Sequence, residues 1–169
     1  MRRNSVVNII ITALIATAVV LLDQITKLWV LGSFELGESR AVIPGILNWT
    51  YIQNRGAALG MLADHRWVFM LISALLIVAI VLFILFSKEI GRVAVVVLAM
   101  ILGGGIGNMI DRFTYGYVVD FIDVKFLPFW KWIFNVADCF VTVGAILLIV
   151  MYIVSEIKQK GKSNDSSDI

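Results

Sequence analysis

The chain has 169 residues, 60% of them hydrophobic and 15% charged, with a formal net charge of +2. Soluble domains hold roughly 45–50% apolar and about 25% charged residues, so this balance excludes an ordinary soluble fold and points to the membrane. The near-neutral charge leaves no footprint for nucleic acid. One cysteine, Cys139, and one histidine, His65, exclude an internal disulfide, a Cys- or His-rich zinc site and a histidine-based triad, so no metal or cofactor is expected.

Four apolar stretches, at about 6–31, 67–86, 93–112 and 134–155, can each cross a hydrocarbon layer, which takes about 20 helical residues. The expected fold is an all-α bundle of four transmembrane helices in one domain, residues 1–160. A polar tail, residues 161–169, is expected to be disordered and cytoplasmic. Arg2 and Arg3 precede the first stretch as they would in a signal peptide. The stretch is longer than the usual cleaved core and holds Asp23 and Lys27, so it reads as a retained span. An even number of spans puts both termini on one side. Arg2, Arg3, the Lys88–Arg92 link and Lys158, Lys160 and Lys162 place that side in the cytoplasm, although seven of the fourteen basic residues lie elsewhere.

Between the first two spans, Ile46-Leu47-Asn48-Trp49-Thr50-Tyr51-Ile52 alternates after a Pro44-Gly45 turn. It reads as a small extracytoplasmic sheet at the interface, where Trp49 and Tyr51 favour the headgroup level. The third span carries Gly103-Gly104-Gly105 and Gly107, a device for close helix packing. The segment from Thr114 to Asn135 contains a second aromatic interfacial run, Phe126 to Trp132. Cys139 is expected to be a buried, inert thiol, and His65 an ordinary interfacial residue.

The polar residues of the spans gather at the outer end. Asp23 and Lys27 lie in the outer third of the first span; Asn108, Asp111 and Arg112 end the third; Asn135 and Asp138 begin the fourth. Gln53, Asn54 and Arg55 precede the second on the same side. Ionisable groups at membrane depth are costly and usually mark function. Asp23 and Lys27, spaced i,i+4, form a favourable helix pair that locks the bundle. Arg112 is expected to satisfy Asp111, and Asn135 to cap a helix. Asp138 has no charge partner nearby in sequence. Two close carboxylates share one proton, so one can take a proton from water while the other donates to a carbonyl oxygen. Such a pair hydrolyses peptides without a metal. For the partner of Asp138, spacing leaves Asp111, Asp120 and Asp123 open.

These residues resemble the motifs of bacterial lipoprotein signal peptidase, signal peptidase II, over nearly all the spans. Asp23-Gln24-Ile25-Thr26-Lys27 is similar to its first motif and Gln53-Asn54-Arg55-Gly56-Ala57-Ala58-Leu59-Gly60 to its second. The third is matched by Gly104-Gly105-Ile106-Gly107-Asn108-Met109-Ile110-Asp111-Arg112 followed by Gly116-Tyr117-Val118-Val119-Asp120-Phe121-Ile122-Asp123. Phe134-Asn135-Val136-Ala137-Asp138 is similar to the last. The resemblance implies an intramembrane aspartyl endopeptidase of the cell membrane. It would remove signal peptides from diacylglyceryl-modified prolipoproteins, just before the modified cysteine. By resemblance the catalytic pair is Asp120 and Asp138. Asp23, Lys27, Asn54, Gly56, Asn108, Asp111, Arg112, Asn135 and Ala137 support it or hold substrate. The expected partners are these lipid-modified precursors and membrane lipids, and the expected state is a monomer. A proton-coupled transporter would place its acids nearer the midplane, often between repeated halves, and no repeat is visible. A scaffold would need the polar cluster for stability only.

Overall fold

The structure is a computed structural model that describes residues 3–56, 66–87, 90–126 and 132–165. His65, the Ala57–Gly60 part of the second motif and residues 127–131 of the aromatic run lie outside the described residues.

Four helices form the bundle: α1 (Arg3–Ser33), α2 (Arg66–Phe86), α3 (Arg92–Thr114) and α4 (Val136–Asp165). Each contains a stretch long and apolar enough to cross a membrane. Helices satisfy their own backbone groups, which hydrocarbon cannot do. α4 continues to Asp165, five residues into the stretch read as an unstructured tail. Half of the α3 span is buried within the protein, against 28% for α1 and 11% for each of α2 and α4. α3 is therefore the axis on which the others pack.

Its glycines make this possible. A Cβ on Gly103 would stand 2.7 Å from Val19 Cβ of α1, and one on Gly104 would stand 2.5 Å from the Ala137 carbonyl oxygen of α4. Only a missing side chain lets the backbones approach so far. Away from this contact Ala16, Ile80, Ile84, Val97, Leu98, Ile101 and Leu102 form an apolar cluster.

At one end of the bundle sits an antiparallel four-stranded sheet in the order β1 (Ser39–Ile43), β2 (Leu47–Asn54), β3 (Val118–Val124) and β4 (Ile133–Phe134). The β1–β2 turn has Pro44 and then Gly45 at φ 73°, closed by Ile46 N–H donating to the Ile43 carbonyl at 2.9 Å. That is the pattern of a type II turn. The expected sheet run is present as β2. β3 is an addition to the expectation. Its valines, isoleucine and phenylalanine favour a strand, but Asp120 and Asp123 interrupt its apolar reading. Gly116, at φ 81°, follows the C-cap residue Tyr115 of α3 and lets the chain reverse into β3. Val119 and Phe121 of β3 pack with Val30, Phe34 and Tyr51, fixing the sheet to the end of α1.

Candidate active site

Strand alternation turns Asp120 away from Val119 and Phe121. β2 and β3 pair Ile52 with Asp120 and Asn54 with Val118. Asn54 is thus a diagonal cross-strand neighbour of Asp120. Its Nδ2 donates to Asp120 Oδ2 at 2.9 Å, and its Oδ1 accepts from the Gly56 N–H at 3.1 Å. Gly56 therefore holds the amide that reaches Asp120. The other oxygen, Asp120 Oδ1, accepts from Asn135 Nδ2 at 2.6 Å.

Asn135 caps α4, as expected, and does more. Its Oδ1 accepts from the Asp138 N–H at 2.9 Å, while its own N–H donates to Asp138 Oδ2 at 3.3 Å. This reciprocal arrangement satisfies free donors of the first helical turn. One residue therefore touches both acids. Asp138 Oδ1 accepts from Asn108 Nδ2 at 2.7 Å. All four carboxylate oxygens face amide donors. The helix N-terminus also favours negative charge at Asp138.

Beneath this pair lies a buried ionic cluster. Lys27 Nζ stands 2.9 Å from Asp23 Oδ2 and 3.0 Å from Asp111 Oδ2. Lys27 is 1% exposed and both acids are fully buried. The expected Asp23–Lys27 pair is formed. Asp111 is not held by Arg112: among the described residues its cation is Lys27. Its Oδ1 also accepts from Gln24 Nε2 at 2.9 Å and its Oδ2 from the Val119 N–H at 2.9 Å. Helix geometry explains the difference. Asp111 turns toward α1, whereas Arg112, 100° further round α3, lies with its guanidinium 5.7 Å from the Phe69 ring of α2. The carboxylates it feels most strongly are Asp138 and then Asp120. Asp23 Oδ1 accepts from the Ala137 N–H at 2.9 Å, which ties α1 to the first turn of α4.

The three acids left open by spacing now differ. Asp111 is paired with Lys27. Asp123 accepts from Thr50 Oγ1 at 2.6 Å and lies 2.7 Å from Lys125 Nζ. Asp120 has amide donors and, among the described residues, no cation within ion-pair distance. Burial first, and the charge of Asp138 second, push its carboxyl up to about 7, against the lowering effect of Asn54 and Asn135.

Sequence reasoning left Gln24 without a role. Its amide bonds Asp23, Asp111 and the Gly107 carbonyl. The signal was available, since an amide beside an acid inside an apolar span needs a partner. It also missed the backbone N–H groups of Val119 and Ala137 as donors to acids, which no side-chain pattern reveals. Cys139 is exposed rather than buried, because it falls 200° round α4 from the inward-facing Ala137. Among the described residues no cluster of His, Cys, Asp and Glu could hold a metal ion.

Comparison with known proteins matches residues 15–154 to the family model of signal peptidase (SPase) II. The lipoprotein signal peptidase of Syntrophomonas wolfei subsp. wolfei is 44% identical over 133 residues, covering 79% of this chain and 86% of that one. That of Listeria welshimeri serovar 6b is 42% identical over 149 residues, covering 88% and 96%. A bacterial membrane enzyme solved by the in meso method at 2.3 Å resolution superposes with a TM-score of 0.80 at 36% identity, over 86% of this chain and 88% of that one. Sequence and fold agree, and the chain belongs to the signal peptidase II family.

Proposed function

We propose that this membrane protease is an aspartyl endopeptidase in which Asp120 and Asp138 hydrolyse diacylglyceryl-modified prolipoproteins just before the modified cysteine. The observation that carries the reading is the shared hold of Asn135. It donates to both acids, while Asp111 and Asp123, the alternatives, are each paired with a lysine.

A water between the two carboxyl groups attacks the scissile carbonyl. One aspartate takes its proton, and the other donates to the carbonyl oxygen. The tetrahedral intermediate then collapses as the leaving amine is protonated. The raised carboxyl of Asp120 suits proton sharing near neutral pH, and a coupled pair titrates as a unit. Asn54 or Arg112 holds substrate backbone or lipid headgroup.

Both termini face the cytoplasm in this reading, so the site lies at the outer face of the cell membrane. A signal peptide is itself a membrane helix whose cleavage point lies at that level. The test uses purified protein in lipid with a diacylglyceryl-modified precursor, read as a size shift. Asp138→Asn is expected to insert normally and to lose cleavage by at least about a thousandfold, as for loss of a group on which the chemistry depends. Ready cleavage by that variant sinks the pair. Chelators are expected to leave the wild-type rate unchanged; inhibition reversed by zinc would point instead to a metalloprotease.

A further inference from the structure

Lys27 has a third contact that its two ion pairs do not account for. Its Nζ donates to Asn108 Oδ1 at 3.0 Å. Asn135 Nδ2 donates to the same oxygen, also at 3.0 Å. A side-chain amide has one accepting end and one donating end. With Oδ1 held by two donors, the Nδ2 end is directed to Asp138 Oδ1, 2.7 Å away. Turning the amide over would set its NH2 against an ammonium and its oxygen against a carboxylate. Both contacts would be repulsive in a buried site where polar groups are poorly screened.

We propose that Lys27 is a positioning residue for the reaction: it fixes the Asn108 amide so that Asn108 always donates to Asp138. Asp138 is thereby kept in one rotamer as an acceptor, the state a base needs to receive a proton from water. This rests on the Asp120–Asp138 reading above. The charged and titratable groups around Asp138 are Lys27 and Asp23 of α1, Arg112 of α3, Asp120 of β3 and Cys139 of its own helix. Of these, Lys27 is joined to it through Asn108 and Asp120 through Asn135, and Lys27 is the cation of the two. Asp111 lies behind Lys27 and shares its charge.

The ion pairs alone could explain a buried lysine, so the test must separate locking from positioning. In the double variant Lys27→Met/Asp23→Asn, the cluster of Asp23, Lys27 and Asp111 keeps its formal charge of −1. Asn at 23 still offers an oxygen to the Ala137 N–H. What is lost is the donor to Asn108, together with the Lys27 ion pairs to Asp23 and Asp111 and the Asp23 oxygen that Gln24 donates to, losses that are read in the thermal stability. Cleavage of the diacylglyceryl-modified precursor is measured per folded molecule across pH. The expected result is a kcat about ten- to a hundredfold lower, the scale of one hydrogen bond to a charged group, with KM within about twofold. The acid limb of the kcat profile is expected to move to higher pH, because Asp138 loses support for its charged form. An unchanged kcat per folded molecule with an unmoved acid limb, whatever the loss of thermal stability, overturns the proposal. Should the double variant not accumulate, Asn108→Leu, which leaves both Lys27 ion pairs in place, must give the same kcat loss and the same movement. An unmoved limb there also overturns it. Asp138→Asn in the same series reports separately on the pair itself.

Discussion

The two halves of the bundle share α1, α3 and α4 but are held together differently. Away from the sheet, Ala16, Val97, Leu98, Ile101 and Leu102 meet α2 residues Ile80 and Ile84 through apolar contact and close approach. Beneath the sheet, the same helices meet through Asp23, Lys27, Asn108, Asp111, Asn135 and Asp138. Lipid tails are as apolar as leucine, so the first half gains from packing rather than from escape from water. The second half carries desolvated charge that packing alone does not require. It stays folded because its groups are paired: among the described residues, no fully buried side-chain nitrogen or oxygen lacks a hydrogen-bond partner. Apolar contacts are interchangeable by volume, whereas each hydrogen bond here has one specific partner. A single change at the polar end therefore leaves a buried group stranded.

The sharpest way to break this contrast is to push backbones apart where the halves meet. Gly107→Ala would bring a Cβ to 2.5 Å from Asp23 Oδ2, and Gly104→Ala would bring one to 2.5 Å from the Ala137 carbonyl oxygen. Either is expected to cost about 1–3 kcal/mol of stability, as overpacking does. Gly107→Ala should also remove most activity, because it displaces the acid that holds Ala137 and Lys27. Thermal unfolding in detergent and precursor cleavage check both. Full activity of Gly107→Ala would mean that the ionic cluster is uncoupled from the site.

A smaller effect is expected from Asn54→Leu, which takes one donor from Asp120. That donor counters the rise caused by burial and Asp138, and with it in place the carboxyl stands at about 7. Without it, Asp120 keeps its proton to higher pH, so the alkaline limb of the rate profile should move up while the rate falls roughly tenfold, the scale of one such bond. A limb that moves down contradicts the sign. Smallest of all is Gly105→Ala. Its Cβ would meet only Ile77, at 3.7 Å. Stability should be unchanged or raised by up to about 1 kcal/mol through helix propensity, with activity intact.

The four helices were legible because about 20 consecutive apolar residues have few other solutions. β2 was legible because it alternates beside a Pro-Gly turn. β3 was not, since it is covered on both faces and carries two acids, so it shows no period of two. The gathering of polar residues at one end followed from topology. Their pairing did not: Asp111 was assigned to the adjacent Arg112, while its true partner, Lys27, is 84 positions away and became a neighbour only through the packing of α1 on α3. Resemblance separated Asp120 from Asp123. The geometry adds a physical distinction, since Lys125 neutralises one and amides alone hold the other.

That distinction sets the most direct measurement of the central claim. Asp120→Asn and Asp123→Asn are compared for cleavage of a diacylglyceryl-modified precursor in lipid, with thermal unfolding of each. Asp123→Asn keeps an oxygen for Thr50 Oγ1, whereas Asp120→Asn keeps one oxygen for one of its two amide donors and turns an NH2 to the other. Asp120→Asn is predicted to stay folded and give no size shift, and Asp123→Asn to cleave at near the wild-type rate. Cleavage by folded Asp120→Asn, or its loss in folded Asp123→Asn, would contradict the account.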